Sequence, residues 1–543
     1  MRQETVEKIE RLLPRYIIIL TVIISCSVMT FFPKWTVDDA YISFRYSENL
    51  VKHGELNWNP GDNPVEGYTG IALPLLISAG IEANISPVTF SHILGIASFY
   101  ICGLFIFLIL KRINLDNLII SLIILFYSTT PFLYTNVFSG LETMMFTAAF
   151  TAAIYFSIII LNKKNTKSVQ LIFYMASLLF LSLIRPEGVL ISVLLLFFLS
   201  LQFAVSHKKS FKKFVIIAFT GFGIPFIMYF LWRWNYYGQF FPNTYYLKTG
   251  GSLFSYGSYN SLLSMLKDNL LVPFVAAFFF ALLNLDNFWQ EVKEERSKVL
   301  SKELLTVILA GIIAIVIISW QYLYTDLLMN FSHRFWVPFL PVLFILFAIL
   351  ADIGFKNYKL AHTKNPISFK VYSFILILLI VIQTGKVTRE FKSEVNYSWK
   401  MKNLIENVHV KTGQYIHQHF KGKYTLLVHA DAGAIPFYAK LRTIDFGGLN
   451  DEYLSHKSDL SKKQIVDYFF DCDADVLAIT SFRPDKIERS QGSLNWETLK
   501  LVISDPRFKE YSIVKKFGTP MWNYYEFVFV KNSLAQKLVK KRI

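Results

Sequence analysis

Cysteine is scarce in this chain. Its 543 residues include three, Cys26, Cys102 and Cys472. Their spacing gives no paired framework and no set of metal ligands. Two of the three lie in apolar runs, where a small core residue is the ordinary interpretation. The sequence therefore predicts neither a disulfide-stapled fold nor a cysteine-based metal site.

Charged side chains are also few, at 17% of residues, against about a quarter in an ordinary globular domain. In their place the chain has 53% hydrophobic and 17% aromatic residues, with a mean hydropathy of +0.40. A soluble domain needs far less apolar residue, so the composition indicates a polytopic α-helical membrane protein. The formal net charge of +16 arises from Lys and Arg in short loops between apolar runs. That is the positive-inside pattern rather than a nucleic-acid surface.

About eleven apolar runs are long enough to be transmembrane helices. They cover residues 15–32, 88–110, 117–134, 142–162, 169–184, 188–205, 213–231, 269–284, 303–322, 334–352 and 370–385. The segment 71–82 is shorter and contains Pro74, which favours an interfacial or re-entrant helix. The first run has no small-residue cleavage site, so we expect a retained helix rather than a removed signal peptide.

Basic residues occupy every second loop between these runs. The N-terminal segment, the pair Lys111 and Arg112, and the lysine clusters at Lys163 and Lys208 belong to this set. The positive-inside rule assigns it to the cytoplasm. The loop 33–87 and the C-terminal region are then expected to face the outside of the cytoplasmic membrane.

The character of the chain changes after about residue 386, where charges become frequent and long apolar runs stop. Short β-rich runs at 424–429, 475–480 and 525–531 alternate with turn or helix signals. We therefore expect a transmembrane domain over 1–385 and an extracytoplasmic α/β domain over 386–543. The second has no G-x-G-x-x-G, P-loop or serine-nucleophile elbow, so it carries none of the sites that these motifs mark.

Polar residues are concentrated in the loop after the first apolar run, TVDDAYISFRYSENLVKHGELNWNPGDNPVEGY. The paired carboxylates Asp38 and Asp39 are costly near lipid and so indicate a functional site. The alternative is that they begin an interfacial helix, because aspartate favours helix starts. The polar and aromatic residues that follow favour a structured pocket over a plain connector; among them are Arg45, Glu66 and Tyr68.

Four further polar clusters interrupt the apolar runs on the same predicted side. They are 139–142, 185–188, 242–248 and 332–335. An outward carboxylate can act as a general base on a hydroxyl, and Lys or Arg can neutralise a leaving phosphate. No soluble nucleotide supplies energy outside the cell, so this chemistry predicts a lipid-linked phosphosugar as donor.

Each cluster also has a structural interpretation. Arg185 and Glu187 can neutralise each other as an ion pair near the bilayer. Glu142 suits the first turn of a helix, and His333 and Arg334 can snorkel to the interface. The argument for a site is that all the clusters fall on one side of the membrane.

Several of these strings resemble one enzyme family. The most specific is VDDAYISFRYSENLVKHGELNWNPGDNPVEGYTG. The strings SGLET at Ser139, RPEG at Arg185, YYGQFFPNTYYLK at Tyr236, HRFWVPFLP at His333 and ADAGAIPFYAKLRTIDFGGLND at Ala430 extend it over most of the chain. Together they resemble the actinobacterial terminal β-arabinofuranosyltransferase and its wider bacterial relatives. These are integral-membrane GT-C glycosyltransferases that use polyprenyl-phosphate-linked sugars. The string TGIALPLL after Tyr68 departs from the relatives, which usually have an Asn and a Trp there.

The resemblance implies roles for the candidate residues. Asp38 would be the catalytic base, supported by Asp39. The donor phosphate would be bound by Lys248, Arg334 and His333. The sugar and acceptor pocket would consist of Arg45, Glu66, Tyr68, Glu142, Arg185, Glu187, Asn243, Tyr245 and Asp431. Some GT-C enzymes need a divalent metal at the acid pair, so a metal at Asp38 and Asp39 is an open alternative.

We therefore predict a glycosyltransferase on the outer face of the cytoplasmic membrane. It would move a sugar, arabinofuranose or another pentose or hexose, from a polyprenyl-phosphate donor to a cell-envelope glycan or lipid. The alternative is a transporter or flippase of a lipid-linked sugar. Transporters place polar groups near the bilayer midplane and often contain repeats, whereas here the polar groups lie at loop edges. A third class, a membrane-anchored glycan receptor, would not need eleven spans.

Overall fold

The fold is described from a computed structural model of the chain. It describes residues 2–161, 167–206, 208–248, 256–267, 302–323, 327, 329–364, 366–456, 459–488 and 496–540. The α-helices of eight or more residues are Arg2–Phe31, Asp38–His53, Ala72–Glu82, Pro87–Arg112, Asn117–Ser128, Pro131–Phe138, Thr143–Leu161, Ser168–Ile184, Glu187–Ser206, Lys208–Ala218, Ile224–Tyr237, Tyr256–Met265, Lys302–Leu323, Leu340–Lys364, Pro366–Leu404, Lys411–His419, Lys462–Asp471, Trp496–Ser504 and Asn532–Lys540. Shorter α-helices and two π-helical segments are Asn243–Lys248, Ala434–Ala439, Glu452–Ser455, Phe219–Gly223 and Ile405–Val410.

Seven helices of the described residues are long and apolar enough to cross a membrane. They are Leu12–Phe31, Pro87–Arg112, Thr143–Leu161, Glu187–Ser206, Ser210–Tyr237, Leu305–Leu323 and Phe331–Phe355. Each coincides with one of the predicted spans. The prediction of a polytopic helical membrane protein is therefore confirmed.

The predicted span 117–134 is not one straight helix. Its two parts, Asn117–Ser128 and Pro131–Phe138, are bent by 53°. Pro131 explains the break, because proline has no N–H and disfavours helical backbone in the residue before it. That residue, Thr130, is extended. If the bent pair is one span, the described residues contain eight.

Two apolar helices are shorter than these seven. The predicted span 169–184 forms Ser168–Ile184, which has 17 residues. The segment 71–82, predicted as an interfacial or re-entrant helix, forms the 11-residue helix Ala72–Glu82. Eleven residues extend about 16 Å at 1.5 Å each, roughly half of a hydrocarbon core.

Two predicted spans are not tested. The span 269–284 lies outside the described residues, and 370–385 lies in the helix Pro366–Leu404, whose side chains up to residue 381 are also outside the description. The same helix continues through 385/386, the predicted domain boundary. The total of about eleven spans and the boundary therefore stay predictions.

The C-terminal region contains a five-stranded sheet. Its strands are β1 (Thr425–His429), β2 (Arg442–Asp445), β3 (Val476–Ser481), β4 (Tyr511–Thr519) and β5 (Tyr524–Lys531). The spatial order is β2-β1-β3-β5-β4, with β2, β1 and β3 parallel and β5 antiparallel to both neighbours. The three predicted β-rich runs correspond to β1, β3 and β5. Both faces of β1 are buried in apolar clusters, as parallel strands covered on both sides require.

The first loop is joined to this sheet by buried hydrogen bonds. Arg45 donates to the carbonyl oxygens of Pro436 and Leu441, each at 2.8 Å. Trp58 donates its Nε1–H to the Thr443 carbonyl at 2.8 Å. Residues nearly 400 positions apart in sequence are therefore in direct contact. This contact brings the candidate site residues of the two regions close to one another.

Candidate active site

The helix Asp38–His53 presents the acidic pair. Val37 before it is extended, and Gly54 after it adopts the left-handed conformation (φ 73°) that commonly ends a helix. Asp38 and Asp39 occupy the first turn, where the helix dipole favours negative charge. Asp38 is buried and Asp39 half-buried. The helix-start interpretation and the functional one thus apply to the same residues.

The carboxylate of Asp38 is surrounded by donors from the C-terminal region. Its Oδ1 lies 2.8 Å from His409 Nδ1 and accepts the N–H of Ala434 at 2.9 Å. Its Oδ2 accepts the N–H of Gly433 at 2.8 Å. Burial alone would raise the pKa of Asp38, but the imidazole and the two amides outweigh it and lower that pKa below its ordinary value. Asp38 is therefore an anion at neutral pH, fixed in position.

Gly433 makes this close approach possible. A Cβ on Gly433 would lie 1.9 Å from the backbone oxygen of Asp38 and 2.6 Å from its carboxyl carbon. The same turn contains Ala430 with φ 81°, a conformation uncommon for a residue with a side chain. Strained backbone of this kind is concentrated at functional sites.

His409 connects Asp38 to Asp431. Its Nε2 lies 3.8 Å from Asp431 Oδ2, while its Nδ1 faces Asp38. Burial alone would lower the pKa of His409, but the negative charges of Asp431 and Asp38 raise it to about 9. The residue lies in the π-helical segment Ile405–Val410, a rare conformation that is frequent at functional sites. Sequence reasoning missed His409, because nothing in its neighbours marks it.

Asp431 reaches the site because it follows β1. Carboxyl ends of parallel strands share one edge of a sheet, and an antiparallel neighbour begins at that edge. His429, Asp445 and Tyr524 accordingly lie at the ends of their strands on that edge. The Tyr524 hydroxyl lies 2.8 and 2.7 Å from the two carboxylate oxygens of Asp431. Thr480 Oγ1 lies 2.7 Å from Asp431 Oδ2, so the carboxylate is held from two strands.

These groups open into a cavity of about 460 Å³. Six predicted site residues line it: Asp38, Asp39, Tyr68, Glu142, Arg334 and Asp431. His409 and Tyr524 also line it, and its apolar side includes Leu247, Met329, Met401, Leu404 and Ile405. A lining with both polar and apolar side chains suits an amphipathic ligand.

Two arginines converge on Glu142 at another wall of the cavity. Arg185 Nε lies 2.7 Å and Arg334 Nη2 3.2 Å from Glu142 Oε1. All three side chains are buried. Within the described part of the chain, Arg334 Nε and Arg185 Nη1 have no hydrogen-bond partner. Unpartnered buried donors are costly, so this wall is suited to an anion.

A strained turn precedes Arg334. Met329, Ser332 and His333 have positive φ angles of 60°, 44° and 56°. Ser332 donates to Glu394 Oε2 at 2.6 Å, which fixes the turn against the helix Pro366–Leu404. Strain that the surroundings hold in place is a common device for presenting a functional side chain, here Arg334.

Other predicted pocket residues lie around the cavity rather than in its lining. Glu66 forms a buried ion pair with Arg233, and burial raises the pKa of Glu66. Glu187 accepts a hydrogen bond from Tyr322 at 2.9 Å. Arg45, as described above, ties the first loop to the sheet. Sequence reasoning identified the residue types but not the direction in which these side chains point.

Among the described side chains, three further candidates do not line the cavity: His333, predicted to bind phosphate, and the pocket candidates Asn243 and Tyr245. His333 packs edge-on against Phe132, with ring centroids 5.3 Å apart. Asn243 is buried, and Tyr245 is partly exposed and stacks on an aromatic neighbour. Lys248 ends the helix Asn243–Lys248, and its side chain lies outside the described residues. Their roles stay predictions.

A divalent metal fits this site with a different set of ligands from the acid pair. Among the described residues, ligand atoms of Asp38, His409 and Asp431 all lie within 4.8 Å of one another. The buried Nε2 of His409 has no hydrogen-bond partner there. Asp39 does not belong to this group. A cation at Nε2 would replace the proton that the two carboxylates otherwise stabilise.

Comparisons with known proteins define the fold. A family model described as a domain of unknown function (DUF8728) matches residues 396–530, and no curated protein matches the chain by sequence. The chain is similar to the structure of ArnT from Cupriavidus metallidurans bound to undecaprenyl phosphate. The identity is 12% and the TM-score 0.56, over 95% of this chain and 98% of that one.

A second solved structure has the same architecture. It is the archaeal oligosaccharyltransferase AglB from Archaeoglobus fulgidus in complex with an inhibitory peptide and a dolichol-phosphate. The identity is 11% and the TM-score 0.55, over 95% of this chain and 74% of that one. At such identities the similarity establishes the fold alone. The predicted GT-C fold is thereby confirmed, and the closer resemblance to terminal arabinofuranosyltransferases stays a prediction.

Proposed function

We propose that the chain is a glycosyltransferase that moves a sugar from a polyprenyl-phosphate donor to a hydroxyl of a cell-envelope glycan or lipid. One observation carries the proposal. A single cavity contains an ionised carboxylate, Asp38, and a guanidinium, Arg334, whose Nε has no partner among the described residues. A base and an anion-binding group are what displacement of a phosphate by a hydroxyl requires.

In this reaction the acceptor oxygen bonds to the anomeric carbon while the bond from that carbon to the phosphate oxygen breaks. The acceptor proton passes to Asp38, which Asp39 supports from the same helix turn. A carboxylate of lowered pKa suffices, because the hydroxyl becomes acidic as its oxygen bonds to carbon. The electron pair leaves with the polyprenyl phosphate, which Arg334 stabilises by charge-assisted hydrogen bonds, with Lys248 and His333 as further candidates.

The apolar side of the cavity supports a lipid-linked donor. Met329 and Leu404 are among the side chains that could contact the first isoprene units. The ArnT structure holds undecaprenyl phosphate and the AglB structure a dolichol-phosphate, which supports the same ligand class in a chain of the same fold. We assign Tyr68 and Asp431 to the sugar and acceptor. The sugar is arabinofuranose or another pentose or hexose, as the resemblance implies.

His409 is a positioning residue in this scheme, because it holds Asp38 and does not need to touch the substrate. A divalent cation bound by His409, Asp431 and Asp38 would supply further positive charge beside the reacting groups. The proton transfer and the phosphate contacts remain with Asp38 and Arg334.

The proposed orientation follows the distribution of basic loops. The N-terminus would be cytoplasmic, and the loop 33–87 and residues 386–543 would lie outside the cytoplasmic membrane. The mixed sheet with helices on both faces supports an α/β domain in that region. The hydroxyl acceptor would then belong to the cell envelope.

The test is release of free polyprenyl phosphate by the purified protein in nanodiscs. Donors would be polyprenyl-phosphate pentoses and hexoses, each with and without divalent metal and a crude envelope glycan as acceptor. We expect release from one donor class. Asp38→Asn should lower the rate by about 10²- to 10⁴-fold, the usual contribution of general acid–base catalysis.

The matched control is Asp473→Asn, whose carboxylate is 85% exposed and pairs with a lysine on the sheet. It removes the same charge without touching the cavity. Release by none of the donors would contradict the transferase and favour the transport alternative. Equal rates for the wild type and Asp38→Asn would contradict the role of Asp38.

A further inference from the structure

A second cavity lies at the contact between the first loop and the sheet, and it is separate from the catalytic cavity. Its volume is about 710 Å³. One wall is the segment 57–65 of the first loop, and the other is β2 with the helices Glu452–Ser455 and Lys462–Asp471. We infer that this cavity, the seam groove, binds the saccharide chain of the acceptor, and that the chain is neutral or amino-bearing rather than anionic.

The floor of the seam groove is rigid. The Asn57 side chain donates to the carbonyls of Asn59 and Asp62 and accepts the N–H of Val65 at 3.1 Å. The amide of Asn59 accepts the N–H of Thr443 at 2.9 Å. A polar floor fixed in this way loses little conformational freedom on binding, which favours affinity.

One rim of the groove carries an aromatic platform. Tyr453 is 41% exposed, and its ring stacks on Tyr468 with centroids 4.6 Å apart and an interplanar angle of 29°. The Tyr468 hydroxyl donates to Asp451 Oδ2 at 2.7 Å, so the supporting ring is held in place. A fixed aromatic face next to hydrogen-bonding carboxylates matches a sugar, which has an apolar C–H face and a rim of hydroxyls.

The groove is acidic, whereas the protein as a whole is basic. Four carboxylates and one guanidinium line it: Asp62, Asp451, Glu452, Asp471 and Arg442. Arg442 Nε lies 3.0 Å from Asp62, so its charge is already compensated. In a chain of net charge +16, this local excess of acid repels phosphates and uronic acids. Neutral saccharides and protonated amino sugars are not repelled, so they are the expected ligands.

The groove and the catalytic cavity share a thin wall. Val65 lines the groove and Gly67 the cavity; likewise Asn450 lines the groove and Leu449 the cavity. Asn450 donates to Asp445, which lines the cavity, at 3.0 Å. In the proposed arrangement, a saccharide passes around the edge of this wall, with its terminal hydroxyl at Asp38 and its preceding residues in the groove. The role as acceptor site rests on the proposed transfer reaction, whereas the ligand class does not.

The experiment is equilibrium binding to the full-length protein in nanodiscs without donor. The probes are a neutral hexose tetrasaccharide, a neutral pentose tetrasaccharide, a glucosamine tetramer and a galacturonate tetramer. We expect binding of at least one neutral or amino tetramer and none of the galacturonate. Tyr453→Ala should weaken that binding about tenfold, while Tyr453→Phe, which keeps the ring, should weaken it less than twofold.

Binding of the galacturonate tetramer alone, of no probe, or with equal affinity by the wild type and Tyr453→Ala would overturn the inference. Binding is measured without transfer, so an inactive protein that still binds a saccharide here would contradict the proposed function and not the groove. If transfer is found, Tyr453→Ala should raise the KM of a tetrasaccharide acceptor more than that of a monosaccharide. An equal rise for both would overturn the assignment to the acceptor chain.

Discussion

The catalytic cavity has two charged walls that are built in different ways. At one wall, Glu142, Arg185 and Arg334 come from the ends of membrane helices, and the one carboxylate offsets only one of the two guanidinium charges. At the other, Asp38 is held by His409 and the turn at Gly433, more than 370 residues away in the chain. The charged side chains of the first wall all precede the C-terminal region. The second exists only when the C-terminal region is docked.

In the proposed reaction, the two walls have different roles: one binds the phosphate and the other holds the base. The charged groups of the anion-binding wall come from the membrane helices, with Glu394 fixing the turn before Arg334. The base instead depends on His409 and the turn at Gly433 for its position and its ionisation. Changes at His409 or Gly433 should therefore affect the Asp38 wall and not donor binding. Changes at Arg334 should affect donor binding and not the Asp38 wall. Each substitution below tests one of these two expectations.

The largest effect is expected from His409→Gln, which breaks a buried charged pair. Removing one partner of such a pair costs roughly 3–5 kcal/mol, because Asp38 is left buried without its principal partner. The measurement is the apparent melting temperature in nanodiscs. His417→Gln is the control, since His417 is exposed and its Nδ1 lies 3.3 Å from a backbone carbonyl. Equal shifts for both variants would contradict the special position of His409.

Gly433→Ala should lower kcat by about 10²-fold. Its Cβ would have to occupy space 1.9 Å from the Asp38 backbone oxygen, and a displacement of about 1 Å at a reacting group costs about that much. The KM for the donor should change little, because the Arg334 wall is untouched. Gly385→Ala is the matched control, since a Cβ there meets nothing within 4 Å. A kcat for Gly433→Ala equal to that of Gly385→Ala would contradict the claim that the turn at Gly433 positions Asp38.

Arg334→Gln should raise the KM for the donor about tenfold. A hydrogen bond to a charged group contributes roughly 1.5–3 kcal/mol, and tenfold corresponds to about 1.4 kcal/mol. The experiment compares polyprenyl-phosphate-sugar donors of equal chain length with the wild type and the variant. If Arg334→Gln alters only the acceptor KM, the anion-binding wall has been assigned to the wrong substrate.

Sequence reasoning was most successful where a residue type conflicts with its surroundings. Asp38, Glu142 and Arg334 are charged residues at the edges of apolar runs, and all three line the cavity. The same reasoning identified Arg45 and Glu66 but could not give their direction. Both side chains are buried. Arg45 donates to backbone carbonyl oxygens of the C-terminal region, and Glu66 pairs with Arg233. Local composition reports which residues are unusual, not which way they point.

His409 could not be found in this way. It stands in an ordinary stretch of alternating polar and apolar residues, and its importance comes from two carboxylates that are distant in sequence. The turn after β1 gave a weak signal, since the string ADAGA combines an acid with a glycine flanked by small residues. The bend at Pro131 was missed in the predicted span 117–134, although a proline within an apolar run is a signal for a broken helix.

The central claim is that the C-terminal region positions Asp38, and a double-mutant cycle tests it most directly. The rate of polyprenyl phosphate release would be measured for the wild type, Asp38→Asn, Gly433→Ala and the double variant. If Gly433 acts through Asp38, the double variant should be no slower than Asp38→Asn alone, because effects on one unit do not add. Losses that multiply in the double variant would contradict the account.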